Sequence, residues 1–258
     1  MTQKGGVGKS TLTTILANRL YYYLNKKVLI VDCNIPQASV MGNRRRELEL
    51  FSTIKQKKTN EEELTPKEKA WSKEFERTAL TLKEIRAFDI ISIEDRQIGR
   101  DYSKVDEYAK DYDIILYDLP GSLEDRTLLH TMLSFNYVFV PLEPDAKSGL
   151  KSLATAAGLY NLRNIYKGKS ALQGIYLFFN KVKTSSRQHK EEMACLFQVA
   201  AQRGFEFLMK EDNTPLYIDE RVRYQSDIVC STFFSTEFIL RYTKVERVIQ
   251  AMIKILGV

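Results

Sequence analysis

The stretch Gln3-Lys4-Gly5-Gly6-Val7-Gly8-Lys9-Ser10-Thr11 has the residue types of a loop that holds a polyphosphate. Gly5, Gly6 and Gly8 let consecutive backbone N–H groups turn inward around an anion. Lys9 adds a point charge for β- and γ-phosphates, and the Ser10 hydroxyl suits a bound Mg²⁺. A helix that starts at Ser10 points the positive end of its dipole at the same anion. The strict pattern G-x-x-x-x-G-K-[ST] is not met, because Gln3 stands at its first glycine position. The form K-G-G-x-x-K-[ST] is met instead, and it brings a second lysine, Lys4. Between Gln3 and two glycines, Lys4 is too close along the chain to fold back onto phosphates held by Lys9. It is better placed to project outward to a second molecule.

The elements that must position this loop follow from the spacing of apolar residues. Thr11 to Leu24 reads as a helix, with Leu12, Ile15, Leu16 and Leu20 at helical intervals. Lys27 to Asp32 is a continuous apolar strand ending in a carboxylate, the pattern of a strand buried on both faces of a parallel sheet. Further strands are predicted at Phe88–Ile93, Asp113–Asp118, Tyr137–Pro141, Gly174–Asn180 and Phe205–Met209. Helical segments lie between them, so strand and helix alternate. The expected fold is α/β: a doubly wound, mostly parallel sheet flanked by helices, in one domain over residues 1–258. Ligands of such sheets sit at the carboxyl ends of the strands, where the loop, Asp32, Asp118 and Asn180 all fall. Arg44 to Arg86 interrupts the rhythm with two charged helical stretches, and Lys55–Lys58 followed by Glu61–Glu63 is expected to form an exposed turn between them. The last helix, about Ser235 to Leu256, carries a narrow apolar seam expected to pack on the sheet.

The loop resembles the deviant Walker A motif of the ParA/MinD family of ATPases. The resemblance spans essentially the whole chain, strongly at the two nucleotide motifs and loosely beyond them. It implies the P-loop NTPase fold, ATP and Mg²⁺ as cofactors, and a nucleotide-sandwich homodimer in which Lys9 acts in cis and Lys4 reaches the partner's ATP. Asp32-Cys33-Asn34-Ile35-Pro36-Gln37 resembles the family's switch segment, which implies that Asp32 holds a water of the Mg²⁺ shell. The position that usually carries the water-orienting aspartate is Asn34 here. An amide can position a water but cannot accept its proton, so slow or absent hydrolysis is expected. Read without the resemblance, Asn34 is also an ordinary turn residue. Asp113 to Gly121 is an apolar strand ending in D-x-P-G. Asp118 resembles the Walker B aspartate that supports Mg²⁺, and the Gly121 N–H could approach the γ-phosphate. Asn180 resembles the family's adenine-reading asparagine, although a strand-end asparagine is otherwise common in turns. Pro215 and Leu216–Arg221 are expected to form the other wall of the base site. Ser231-Thr232-Phe233-Phe234 resembles ParA-like proteins of conjugative elements. In the family a strand inside the sheet precedes the loop, yet only Met1 and Thr2 stand before Gln3, so a shortened reading frame is expected.

Charge adds a partner to this picture. Residues 1–144 carry 22 basic and 22 acidic side chains, whereas residues 145–258 carry 17 and 11. Nine basic residues between Asp145 and Lys190 meet only Asp145. Such clustering fits either a polyanion or a solvated face, and the family resemblance favours non-specific double-stranded DNA together with a ParB-like stimulating partner. No apolar run reaches membrane-spanning length. A MinD-like membrane role for the final helix and a hydrolysis-impaired scaffold remain as alternatives. Cys33, Cys195 and Cys230 form no CxxC pair and read as free thiols of a reducing cytoplasm, which with DNA binding implies a nucleoid-associated protein. His130 and His189 are the only histidines, too few for a metal cluster or Ser-His-Asp chemistry.

Overall fold

The computed structural model describes residues 8–34, 39–81, 87–93, 104–105, 107, 110–120, 131–220 and 243–258. The chain groups into two compact units, Lys9–Pro120 with Ser226–Phe238, and Met1–Gly8 with Gly121–Gln225 and Ile239–Val258. The residues ahead of Gly8, where the family's usual first strand is expected to be missing, lie outside those described.

The first unit is built on strand β1 (Val28–Asp32), whose five residues are all buried. A run of Val, Leu and Ile without alternation has no face to show to water, so it takes the middle of the sheet. β2 (Asp89–Ser92) and β3 (Ile114–Asp118) pair with it on either side, both parallel, giving the order β2-β1-β3. Helix α1 (Lys9–Asn18) packs on β1 and β3 through buried Leu12, Ile15 and Leu16. Burying each such side chain contributes roughly 1.5–3 kcal/mol. A π-turn over Arg19–Tyr23 continues α1, and there Tyr21 and Tyr22 pack edge-on against Phe88 with ring centroids 6.0 and 6.5 Å away.

Helices α2 (Ser39–Thr59) and α3 (Pro66–Thr81) form a charged hairpin. The Lys55–Lys58 run, expected as a turn, lies inside α2 and uses its charge across the hairpin. Lys57 pairs with Glu68 at 2.8 Å and Lys58 with Glu76 at 2.6 Å. Thr65-Pro66-Lys67-Glu68 starts α3 as a capping box: the Thr65 N–H donates to Glu68 at 2.7 Å, and the Glu68 N–H donates to the Thr65 hydroxyl at 3.3 Å. The Lys57 ammonium first, then the Thr65 donors, hold the Glu68 carboxyl down to about 2.

In the second unit β5 (Gly174–Val182) runs parallel to β4 (Tyr137–Leu142), to the two-residue β6 (Glu206–Phe207) and to β7 (Tyr217–Asp219). The β6 segment is shorter than the expected strand because Met209 pairs instead with Pro215 in an antiparallel bridge. Helix α4 (Ala146–Ile165) packs on β4, and α5 (Arg187–Gln202) packs on α4. Asp145 caps α4 by accepting the Ser148 N–H at 2.8 Å, and Ser186 caps α5 through the His189 N–H. The final helix α6 (Thr243–Leu256) packs on β7 with Val245, Val248, Ile249 and Met252 buried. Val245, Ile249 and Met252 of the expected seam thus pack as expected, while its Phe238 and Tyr242 lie outside the described residues.

Candidate functional site

In the first unit, Lys9, Ser10 and Thr11 form the opening turn of α1. No acidic side chain occupies that turn, so nothing there offsets the positive end of the helix dipole. Thr14 donates its hydroxyl to the Ser10 carbonyl at 2.9 Å, one turn back within the same helix. The strands beneath α1 bring two carboxylates into register. Asp32 ends β1, Asp118 ends β3, and the two are direct partners in the parallel ladder. Both are buried. Cys33 continues the ladder by donating its N–H to the Asp118 carbonyl at 3.0 Å.

Asp32 has a structural task that its motif does not announce. Its Oδ2 accepts the N–H groups of Val40 and Met41, each at 3.0 Å, and its Oδ1 accepts the Asn34 N–H at 3.1 Å. The carboxylate therefore anchors the first turn of α2 and the residue that the switch resemblance singles out. Three such bonds leave lone pairs for a water. Ser10, Asp32 and Asp118 offer oxygen only, the hard donor set that Mg²⁺ prefers when water and phosphate complete its shell. Among the described residues no group of three or more His, Cys, Asp and Glu could hold a metal ion by itself. The residues thus fit an ion held jointly with a nucleotide better than a self-contained metal centre.

The second unit brings Gly8 and Asn180 together. Gly8 adopts φ +83°, a conformation that side-chain-bearing residues rarely take, and a Cβ built on it would lie 2.6 Å from Asn180 Nδ2. Close backbone approach is the second reason for glycine here, beyond turning the loop. Asn180 is buried on β5, and its Oδ1 accepts the Lys181 N–H at 2.9 Å. Beside it the Phe179 N–H donates to the Leu216 carbonyl at 3.0 Å. Half-buried Pro215, next to Leu216, therefore stands at the same end of β5. Lys4, Gly5, Gly6, Val7 and Gly121 lie outside the described residues, as do Pro36, Gln37 and Ser231–Phe234.

A family model described as an AAA domain matches residues 1–167. The chain belongs to this family, as a ParA/MinD-type P-loop ATPase. Solved structures of low identity share its fold. A plasmid partition protein from Borrelia burgdorferi is 22% identical with a TM-score of 0.52, covering 97% of this chain and 94% of its own. An ATP complex of a McdA variant from Cyanothece is 17% identical with a TM-score of 0.59, covering 100% and 95%. The ParA of pNOB8, bound to nonspecific DNA, is 16% identical with a TM-score of 0.54, covering 97% and 96%. The chain matches no curated protein sequence.

For a ParA/MinD-type ATPase, two features of the site were not foreseen. One is the anchoring of α2 by Asp32, whose donors lie eight and nine residues further along. The other is an ion pair between Glu143, just after β4, and Lys181, the neighbour of Asn180. Glu143 also accepts the Ser148 hydroxyl at 3.0 Å, which joins the pair to the capped end of α4. The two residues are 38 positions apart, too far for any local signal.

Proposed function

We propose that this protein is a ParA-like ATPase that dimerises around ATP and binds double-stranded DNA without sequence preference. It acts in the partition, segregation or transfer of a plasmid or conjugative element. Residues 1–258 serve as one nucleotide-binding domain, in a nucleoid-associated cytoplasmic protein. The observation that carries this reading is the pairing of Asp32 with Asp118 at the strand ends beneath the helix headed by Lys9, Ser10 and Thr11.

In this reading the glycine-rich loop and Lys9 hold the phosphates, while Ser10, Asp32 and Asp118 hold Mg²⁺ and its waters. A bound Mg²⁺ neutralises charge on the β- and γ-phosphates. Lys4 reaches the ATP of a second copy, Gly121 senses the γ-phosphate, and Asn180 with Pro215 holds adenine. Asn34 positions water without accepting its proton, so turnover is slow and rises when a ParB-like partner supplies the missing group. DNA binding is supported by the exposed Lys147, Lys151, Lys167, Lys169, Lys183, Arg187 and Lys190. The pNOB8 ParA was solved on nonspecific DNA. Doubling such a surface by dimerisation raises affinity steeply and makes it salt-sensitive. A membrane role has less support, since the apolar face of α6 is buried and no described helix is long and apolar enough to cross a bilayer.

The test is sedimentation and DNA mobility shift with and without ATP–Mg²⁺. ATP is expected to convert monomer to dimer and to switch on DNA binding, and Lys4→Ala to abolish both effects. A protein that binds ATP yet remains monomeric sinks the sandwich, and DNA binding indifferent to ATP sinks the coupling.

A further inference from the structure

Asn180 is followed by a residue in an uncommon conformation. Lys181 has φ +56°, in the left-handed region, although it carries a full side chain and lies within β5. The ladder to β7 is irregular at that point, between Phe179 and Val182. A bulge of this kind re-aims a side chain. The side chain re-aimed is Asn180, because the N–H of the strained residue donates to Asn180 Oδ1 at 2.9 Å. With the oxygen held there, the amide nitrogen is the atom that faces Gly8.

A left-handed lysine persists only where its surroundings over-determine it. Here the tether is its own ammonium, paired with Glu143. Both side chains are largely withdrawn from water, at 23% and 17% exposure, which makes the pair less screened than a surface one. Glu143 is fixed in turn by the Ser148 hydroxyl at 3.0 Å, and Ser148 by the Asp145 cap at 2.8 Å. A continuous chain of bonds therefore runs from the start of α4 to the Asn180 carboxamide.

We propose that Glu143 is a positioning residue for nucleobase selection: by tethering Lys181 it fixes the orientation of the Asn180 amide. The proposal rests on the reading of Asn180 as the contact to the base. A carboxamide pinned with its oxygen on one side accepts from the exocyclic amine of adenine. It meets the carbonyl of guanine as acceptor against acceptor. Once released, the amide can rotate by half a turn and serve either base. Glu143 thus sets discrimination without touching the nucleotide.

The experiment compares the dissociation constants of ATP, GTP and inorganic triphosphate for the full chain. Glu143→Gln is expected to lower the ATP-over-GTP preference by about tenfold, the worth of one well-made hydrogen bond, with triphosphate binding unchanged. The reversed pair, Glu143→Lys with Lys181→Glu, is expected to regain most of that preference. Ser148→Ala, which keeps the ion pair, is expected to lower it by about threefold and serves if the first variant does not fold. A wild-type preference in Glu143→Gln, or in Ser148→Ala where only that variant folds, overturns the inference while leaving ATP binding intact. A wild-type protein that binds both nucleotides equally overturns the reading of Asn180 and the inference with it.

Discussion

Gly8→Ala isolates the close approach of the phosphate loop to Asn180, and its effects divide into two measurable parts. The first is conformational. Placing a Cβ at φ +83° costs about 1–2 kcal/mol. That cost falls on the folded state with or without ligand, and for a chain of this size it lowers Tm by roughly 2–8 °C. The second part is steric and reaches the ligand through Asn180. The new methyl would lie 2.6 Å from Nδ2, so the amide must retreat by about 0.8 Å to regain an ordinary contact at 3.4 Å. A retreat of that size disrupts the 2.9 Å bond from the Lys181 N–H to Oδ1. Losing one such bond, and the base contact it orients, costs about 1–1.5 kcal/mol, or roughly tenfold in ATP affinity. Calorimetric titration of wild type, Gly8→Ala, Asn180→Ala and the double variant separates the two parts as a cycle. Gly8→Ala is expected to weaken ATP binding about tenfold when Asn180 is present and no more than about twofold when it is absent. An equal loss in both backgrounds would show that Asn180 is not what the glycine makes room for, and the argument would fall.

Asp32→Ala is expected to destabilise the protein by about 2–3 kcal/mol without any ligand, because the buried N–H of Val40 and the part-buried N–H of Met41 lose their acceptor. Thermal unfolding of the metal-free protein checks this, and an unchanged Tm would confine Asp32 to the metal shell. Asn34→Asp is expected to raise ATP turnover at least tenfold in a phosphate-release assay, since a carboxylate can take the proton of the attacking water; an unaltered rate would favour a scaffold that does not depend on hydrolysis. Glu68 supplies a pH dependence. Its carboxyl is depressed from 4.5 to about 2 in the folded state, so its contribution is complete above the unfolded value and fades as pH falls from about 4.5 towards 2. Glu68→Gln is expected to flatten stability over that acid window, and a variant with the same acid slope as wild type would refute the capping role. Ile249→Asp is expected to unfold the C-terminal segment and leave no affinity for anionic liposomes to lose, because Ile249 is buried. Flotation of the wild type with liposomes in ATP would overturn that expectation.

What the sequence revealed and what it hid divide along a physical line. Phosphate-loop glycines and strand-end carboxylates are local signals. Val28–Asp32 and Ile114–Asp118 are apolar runs with a charge at one end, the pattern of parallel strands; the first takes the buried centre of the sheet and the second pairs beside it, half-buried. In the structure their register puts Asp32 opposite Asp118. The length of α2 was misread for a related reason. Four residues of which three are lysines look like a solvated turn until the partners on α3 are known. Glu68 and Glu76 lie 11 and 18 residues beyond Lys57 and Lys58, and they turn that charge into the seam of a hairpin. The capping box of Thr65 and Glu68 has plain local spacing, yet it was not among the expectations.

The supports of the site belong to the hidden class throughout. Asp32 reaches Val40 and Met41 across the switch segment, and Glu143 reaches Lys181 across a whole helix and strand. Neither distance has a period that a sequence pattern can expose. The asymmetry follows from what each kind of residue must do. A group that meets phosphate or metal is dictated by the chemistry of the ligand, and few side chains qualify. A group that holds such a residue in place needs only charge and reach, which many side chains supply from many positions. Residues that meet the ligand are therefore readable by type, while those that aim them emerge only from three-dimensional contact. The left-handed lysine beside Asn180 marks the boundary, since its identity is unremarkable and its backbone carries the information.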